Sequence, residues 1–175
     1  MWPLKTKKSS SEEVSAGIGG VYNSLWRYCL VLTGNKANAD DLAQAACLRA
    51  LEKADKFEAG THFERWMFRL TQRLWIDELR KRSVREGSGL LQIEDVDLVD
   101  QGADPEKALM TSEVIASVMQ LPEAQRATVL LVYVEGYSYR DTAMILDIPV
   151  GTVMSRLAVA RSKLSNRFSV EKRAV

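Results

Sequence analysis

Histidine occurs once in this 175-residue chain, cysteine twice and proline four times, and these scarcities exclude a good deal. His62 cannot join Cys29 and Cys47 in any recognisable zinc-ligand spacing. Both cysteines fall inside helical patterns, which predicts reduced core residues rather than a disulfide. No apolar run approaches the ~20 residues that span a bilayer. The basic start MWPLKTKKSSSEE is not followed by an apolar stretch, so it does not read as a secretory signal; no membrane insertion and a cytoplasmic location are expected. There is no glycine-rich phosphate loop and no spaced nucleophile–base–acid set. Asp40-Asp41 and Asp77-Glu78 are neighbours on helices, so their side chains diverge by roughly 100° and cannot work as an acid–base pair. An enzyme is not expected, and neither is a cofactor or a bound metal.

What the chain does hold is apolar content of 46%, enough for packed cores. Its periodicity is helical throughout, which predicts an all-α protein of two small helical domains. The net charge of +1 conceals segmentation. Residues 62–86 carry 7 basic and 4 acidic side chains, residues 87–120 carry 1 and 7, and residues 138–175 carry 7 and 3. Local charge governs polyanion binding, so a near-neutral total does not argue against a nucleic-acid partner.

Residues 1–13 read as a polar, flexible tail. Val14, Ile18, Val21, Leu25, Cys29 and Leu32 form a helical stripe ending at Thr33-Gly34. Asn38 is a candidate cap for a helix over about Ala39–Lys56, with Asp40 and Asp41 in its first turn. Ala39, Ala43, Ala46, Ala50 and Ala54 line one face of it, and Asp41, Gln44, Arg49 and Glu52 the other. After the loop Phe57–Thr61 comes a helix over roughly His62–Arg82. There Arg65, Arg69, Arg73 and Arg80 recur every four or seven residues, interleaved with Phe63, Trp66, Phe68 and Trp75. Arginine with exposed rings suits single-stranded nucleic acid. Rings in the core beneath a solvated arginine face fit the same pattern, and composition alone favours that plainer arrangement. Residues 85–104 hold the run EDVDLVD and no sustained period, so they read as a linker. Asp104-Pro105 starts a further helix to about Met119. Another runs over Pro122–Val134, with Ala127, Leu130, Leu131 and Val134 expected on its buried face, and stops at Gly136.

Ser138–Leu164 then reads as two helices around a four-residue break. Ser138 and Asp141 make a capping-box-like start, and Asp147-Ile148-Pro149 interrupts. Asp147 falls where such turns need a left-handed residue. Val153, Leu157, Ala160 and Leu164 define the next buried stripe. This is the pattern of a helix-turn-helix, although a short α-hairpin can also be plain scaffold.

Four segments in order, ADDLAQAACLRALEK, HFERWMFRLTQRLWIDELRKR, LPEAQRATVLLVYVEGYSY and IPVGTVMSRLAVARSKL, resemble bacterial sigma-70-family factors of the extracytoplasmic-function (ECF) group. The resemblance covers roughly residues 15–168. It implies a sigma-2-like domain at about 14–84, which binds core RNA polymerase at the beta-prime clamp helices and opens the −10 element. It also implies a sigma-4-like domain at about 105–168, which reads the −35 element and meets the beta flap, with a C-terminal tail at 169–175. Partners implied are core polymerase, promoter DNA and an anti-sigma factor; the free chain is expected to be a monomer. By the same resemblance Asp41, Leu42, Gln44, Leu48 and Arg49 fall on the polymerase-binding helix. The loop Phe57, Glu58, Ala59, Gly60 and Thr61 falls where a flipped −10 base is captured. Arg65, Arg69, Gln72, Arg73, Arg80 and Lys81 would line the adjacent strand, with Trp66 in the core. Arg140, Thr152, Ser155, Arg156 and Arg161 would contact the −35 duplex.

The chain departs from the family pattern in several places. Ala45 stands where Glu is common, Cys47 where a large apolar residue is, and Arg73 where Asn is frequent. Met154 and Val159 replace basic residues, and Ala158 an aromatic or His. Each lost cation weakens phosphate binding and its salt dependence, so weaker or redirected −35 reading is expected. The same reduced basicity allows an alternative: a sigma-like decoy that sequesters an anti-sigma factor without binding promoters.

Overall fold

A computed structural model describes residues 10–86 and 116–171. The tail to residue 9, most of the expected linker and the start of the helix expected from Pro105 lie outside these residues. Helix α1 spans Ser10–Thr33, so the last four residues of the expected tail are helical. It ends at Gly34, whose φ of 82° is left-handed backbone that glycine adopts without a Cβ clash. Helix α2 spans Lys36–Glu52, and its cap is Asn35 rather than Asn38: the Asn35 Oδ1 accepts from the Asn38 backbone N–H at 2.8 Å. Asp40 and Asp41 therefore sit past the first turn. A 3-10 turn, Ala54–Lys56, replaces the expected helical end. Helix α3 runs Phe63–Glu86.

The alanine stripe of α2 is what lets these helices meet. Ala39, Ala43, Ala46 and Ala50 are fully buried, and small side chains permit close backbone approach. Where α1 crosses the start of α3 the fit is tighter still. A Cβ at Gly17 would lie 2.6 Å from the Phe63 ring, so Gly17→Ala is expected to destabilise by about 1–3 kcal/mol through overpacking; a thermal melt measures it. Cys29 and Cys47 are free thiols. Burial pushes the Cys29 thiol from its ordinary 9.0 up to about 12. Between those values the native chain holds a proton that the unfolded chain has lost. Stability is therefore expected to fall as pH rises above 9, by up to about 1.4 kcal/mol per pH unit. Melts of wild type and Cys29→Ala across pH 8–10 should diverge in slope; parallel slopes would refute the shift.

In the C-terminal half, residues 116–119 form a helical turn, followed by α4 (Glu123–Val129). The buried Arg126 donates through Nη1 to the Met119 carbonyl at 3.1 Å, tying the two together. Leu130–Val134 continues α4 as a π-helix, closed by the Glu135 N–H donating to the Leu130 carbonyl. The extra residue per turn rotates Val134 outward: it is 59% exposed, not buried as the 3.6-residue period implied.

Helices α5 (Tyr139–Leu146) and α6 (Val150–Glu171) follow, with the axis turning by 104° between them. The Ser138 hydroxyl caps α5 by accepting from the Asp141 N–H. Asp147 has φ 56° and ψ 48°, the left-handed conformation the turn demands. Val153, Leu157 and Ala160 of α6 bury completely, packing with Leu121, Val129 and Ala143 in a small core.

The two halves do not stand apart. Helix α1 packs on α4 and α3 on α5. Leu130, Leu131, Ile145 and Leu146 join Val14, Leu25, Tyr28 and Phe68 in one larger core. Phe68 meets Tyr28 edge-on at 5.1 Å from one half and Tyr137 edge-on at 5.7 Å from the other. Two helical domains thus share a continuous apolar seam.

Candidate nucleic-acid and partner surfaces

Side by side, α2 and α3 enclose a groove of about 640 Å³. Arg49, Lys53 and Lys56 rise from the end of α2 and the 3-10 turn, while Arg69 and Arg73 face them from α3. Trp66, Leu70 and Leu74 supply its apolar wall, and Asp77 is the single carboxylate among the lining residues. Five cations against one anion around an indole suit a phosphate chain with unpaired bases. Lys53 and Lys56 were not anticipated from sequence. Their spacing from Arg49 on one helical face, at four and seven residues, was the available signal.

Beside the groove the loop is held at both ends. Thr61 donates through its N–H and its hydroxyl to the Glu58 carbonyl. The Gly60 N–H donates to Glu13 of α1 at 2.9 Å, with φ 85° at Gly60. Glu58, Gly60 and Thr61 are exposed and Ala59 is half-buried. Phe57 corrects the expectation: it is buried at 2%, packed on Phe63 and Trp66, and supports the loop from below instead of facing a ligand.

Two further residues turn inward, Leu42 buried and Gln72 half-buried. Leu42 is 8% exposed, on the inner face of α2 beside the alanines, so its side chain is not available to a partner. Gln72 accepts the buried Tyr28 hydroxyl through Oε1 and acts as an internal brace. Phe68 and Trp75 are also buried, so the plainer arrangement holds for those rings. Arg69, Arg73, Arg80 and Lys81 remain exposed. Arg80 is 3.3 Å from Asp77, and the half-buried Arg65 is ion-paired to Asp141 at 2.8 Å.

On the outer face of α2, Asp41, Gln44, Leu48 and Arg49 are exposed together, and Leu51 is 48% exposed. Leu48, at 62%, is an apolar side chain in water. On α6, Ser155 and Arg161 are exposed and Thr152 and Arg156 half-buried, while Arg140 is exposed on α5. Met154 and Val159 also face solvent there. Arg156 of α6 acts electrostatically on Glu123 of α4. Burial raises the Glu123 carboxyl, and the Trp75 indole, Arg126 and Arg156 pull it partly back. Among the described residues no group of His, Cys, Asp and Glu could hold a metal, and no single helix is long and apolar enough to cross a membrane.

The described residues thus combine a capped helix-turn-helix with a cation-lined groove beside a helix carrying recurrent arginines, all in helical structure. The sequence matches the family models for Sigma-70 region 2 over residues 19–85 and Sigma-70, region 4 over residues 112–164. It is 35% identical to the ECF RNA polymerase sigma factor EcfG of Rhodopseudomonas palustris, over 85% of this chain and 81% of that one. It is 30% identical to SigW of Bacillus subtilis, over 94% of each. The fold is similar to RpoE of Bartonella quintana, solved in complex with the anti-sigma factor NepR, with a TM-score of 0.77 and 25% identity over 91% of this chain and 98% of that one. The chain belongs to the ECF group of the sigma-70 family, whose members are non-enzymatic transcription initiation factors.

Proposed function

We propose that the chain is a promoter-specificity subunit that binds core RNA polymerase, recognises −10 and −35 elements and initiates transcription under the control of an anti-sigma factor. The first domain, about 14–84, docks on polymerase through Asp41, Gln44, Leu48 and Arg49 and opens the −10 element. The second, about 105–168, reads −35 DNA through α6 with Arg140. The observation that carries this reading is the α2–α3 groove, where five cations converge next to a braced, exposed turn. A sigma-like decoy has no use for such a groove. The similarity to a protein solved with NepR supports anti-sigma control.

Run-off transcription from genomic fragments with core polymerase is the test. Chain-dependent transcripts are expected; their absence together with tight anti-sigma binding would establish the decoy. Leu48→Asp is expected to weaken binding to core polymerase at least about tenfold, because a charge would replace an apolar anchor at a partner face. Surface plasmon resonance reads this directly. On a −35 duplex, Arg156→Ala is expected to lose affinity and to flatten the salt dependence by about one unit.

A further inference from the structure

Helix α6 turns Val153, Leu157 and Ala160 inward, against α4 and α5. At about 100° per residue, the side away from that core carries Gly151, Met154, Ser155, Ala158, Val159 and Ser162, and all six are exposed. None of them bears a charge. Met154 is 54% exposed and Val159 45%, so the outward face of the helix expected at the −35 duplex is apolar and hydroxylated. The cations stand at its edges, Arg161 on one flank and Arg156 and Lys163 on the other. No acidic residue occurs between Val150 and Ser165.

This layout separates two tasks. Cations along both edges suit the phosphates on either wall of a major groove, and such contacts fix position rather than sequence. The uncharged strip between them faces the base edges, where the thymine C5-methyl is the one apolar group on display. Ala158 and Val159 have no hydrogen bond to offer a base, and Met154 offers only a weak thioether acceptor. Ser155 donates its hydroxyl to the Thr152 carbonyl at 3.0 Å, which leaves its oxygen as an acceptor. The N6 amine of the adenine paired with thymine is a donor on that same groove edge. A Cβ at Gly151 would meet nothing, so packing does not require glycine there, and its bare backbone lets the first turn of α6 approach the groove floor.

We propose that α6 selects A·T pairs in its −35 site through thymine methyls, with Met154, Ala158 and Val159 as the specificity-determining side chains and Arg156, Arg161 and Lys163 on the phosphates. This selectivity rests on the promoter reading above and specifies what the −35 site must contain. Affinity that the missing cations do not supply is replaced by base discrimination, because apolar contact is not screened by salt. An apolar protein partner on the same strip would leave the cations at both edges without counter-charge.

The run-off assay supplies a transcribed fragment for the test. Its −35 region is randomised, and duplexes retained by the full chain on core polymerase are sequenced after band-shift selection. Thymine is expected at one or more preferred positions, on either strand. Replacing each such thymine by deoxyuridine removes the C5-methyl and keeps every hydrogen-bonding edge; binding is expected to weaken about fourfold per contacted methyl. Deoxyuridine outside the −35 region should change nothing. Met154→Ala and Val159→Ala should each weaken binding to the thymine duplex and abolish the deoxyuridine effect at the base that side chain touches. Met154→Lys should move the preferred base from thymine toward guanine and steepen the salt slope by about one unit. Both positions are exposed, so these variants should fold, and the deoxyuridine comparison needs no variant at all. Preferred sequences without thymine, or thymines that deoxyuridine replaces without loss, would overturn the methyl contact and leave the promoter reading standing. A protein partner on the strip would give the second of these results. An undiminished deoxyuridine effect in both alanine variants would overturn the assignment to these side chains. No chain-dependent transcript, or no preferred sequence, would overturn both the contact and the promoter reading.

Discussion

Phe68→Ala is expected to cost about 3–5 kcal/mol of stability, within the range for deleting a buried aromatic side chain. A domain-sized protein has about 5–15 kcal/mol in total. The melting temperature should therefore fall by about 6–20 °C. Phe68 is fully buried, and both of its ring partners, Tyr28 and Tyr137, approach it edge-on. Removing it leaves a cavity where three elements meet: α1, α3 and the loop before α5. Tyr28 is further fixed by its hydroxyl on Gln72, so it cannot swing in to fill the space. Phe68→Leu keeps most of the volume and should lose much less. Because Phe68 belongs to both halves, wild type should melt in a single transition, and the alanine variant should separate the two domains before either unfolds. Circular dichroism melts check both points. A shift under 2 °C for Phe68→Ala would show that the seam is not packed as described.

Much of this fold was legible because the signals were local. The alanines of α2 repeat every three to four residues, and that period places them on one buried face. Proline at 149 bars helix at Ile148 and ends α5 there, and Asp147 falls where such a turn needs a left-handed residue, which Asp tolerates better than most. Other features depend on competition that a linear reading cannot settle. Asn35 and Asn38 are both good caps, and Asn35 wins because its side chain reaches the Asn38 N–H while its own backbone is extended. Phe57 looked like part of an exposed loop, but Phe63 and Trp66 on α3 form a site for its ring, and burying an aromatic outweighs displaying it. Leu42 and Gln72 were assigned outward from motif position alone; the tertiary neighbours of each turned it inward. Val134 was misplaced by the π-helix, whose wider turn no hydrophobic period announces. The seam was the least legible feature. Leu130, Leu131, Ile145 and Leu146 carry the same helical spacing whether they face their own domain or another. Periodicity says that a stripe is buried and is silent about what buries it.

The groove yields the second large effect, on binding and with little on stability. Arg69 and Arg73 are exposed and line the groove opposite Arg49, Lys53 and Lys56. Their truncation leaves the core intact, so melts should shift little. Each arginine that neutralises a phosphate of single-stranded DNA contributes about 0.7 to the slope of log affinity against log salt. Losing two contacts should flatten that slope by about 1.4 and, relative to 1 M salt, weaken binding at 0.1 M by about 25-fold. Arg69→Ala/Arg73→Ala measured by fluorescence anisotropy on a labelled single-stranded DNA 12-mer of mixed sequence across 0.05–0.3 M salt tests both numbers at once. Lys36→Ala, an exposed cation at the start of α2 and outside the groove, should leave the slope nearly unchanged. The sign should reverse at Asp77: removing the groove's carboxylate in Asp77→Asn takes away a repulsion and frees Arg80, so affinity should rise. A slope change from Lys36→Ala half as large as that of the double groove variant, which removes twice the charge, would mean that net charge alone attracts the strand. A loss confined to Arg69 and Arg73, with a gain at Asp77, would place the strand in the groove.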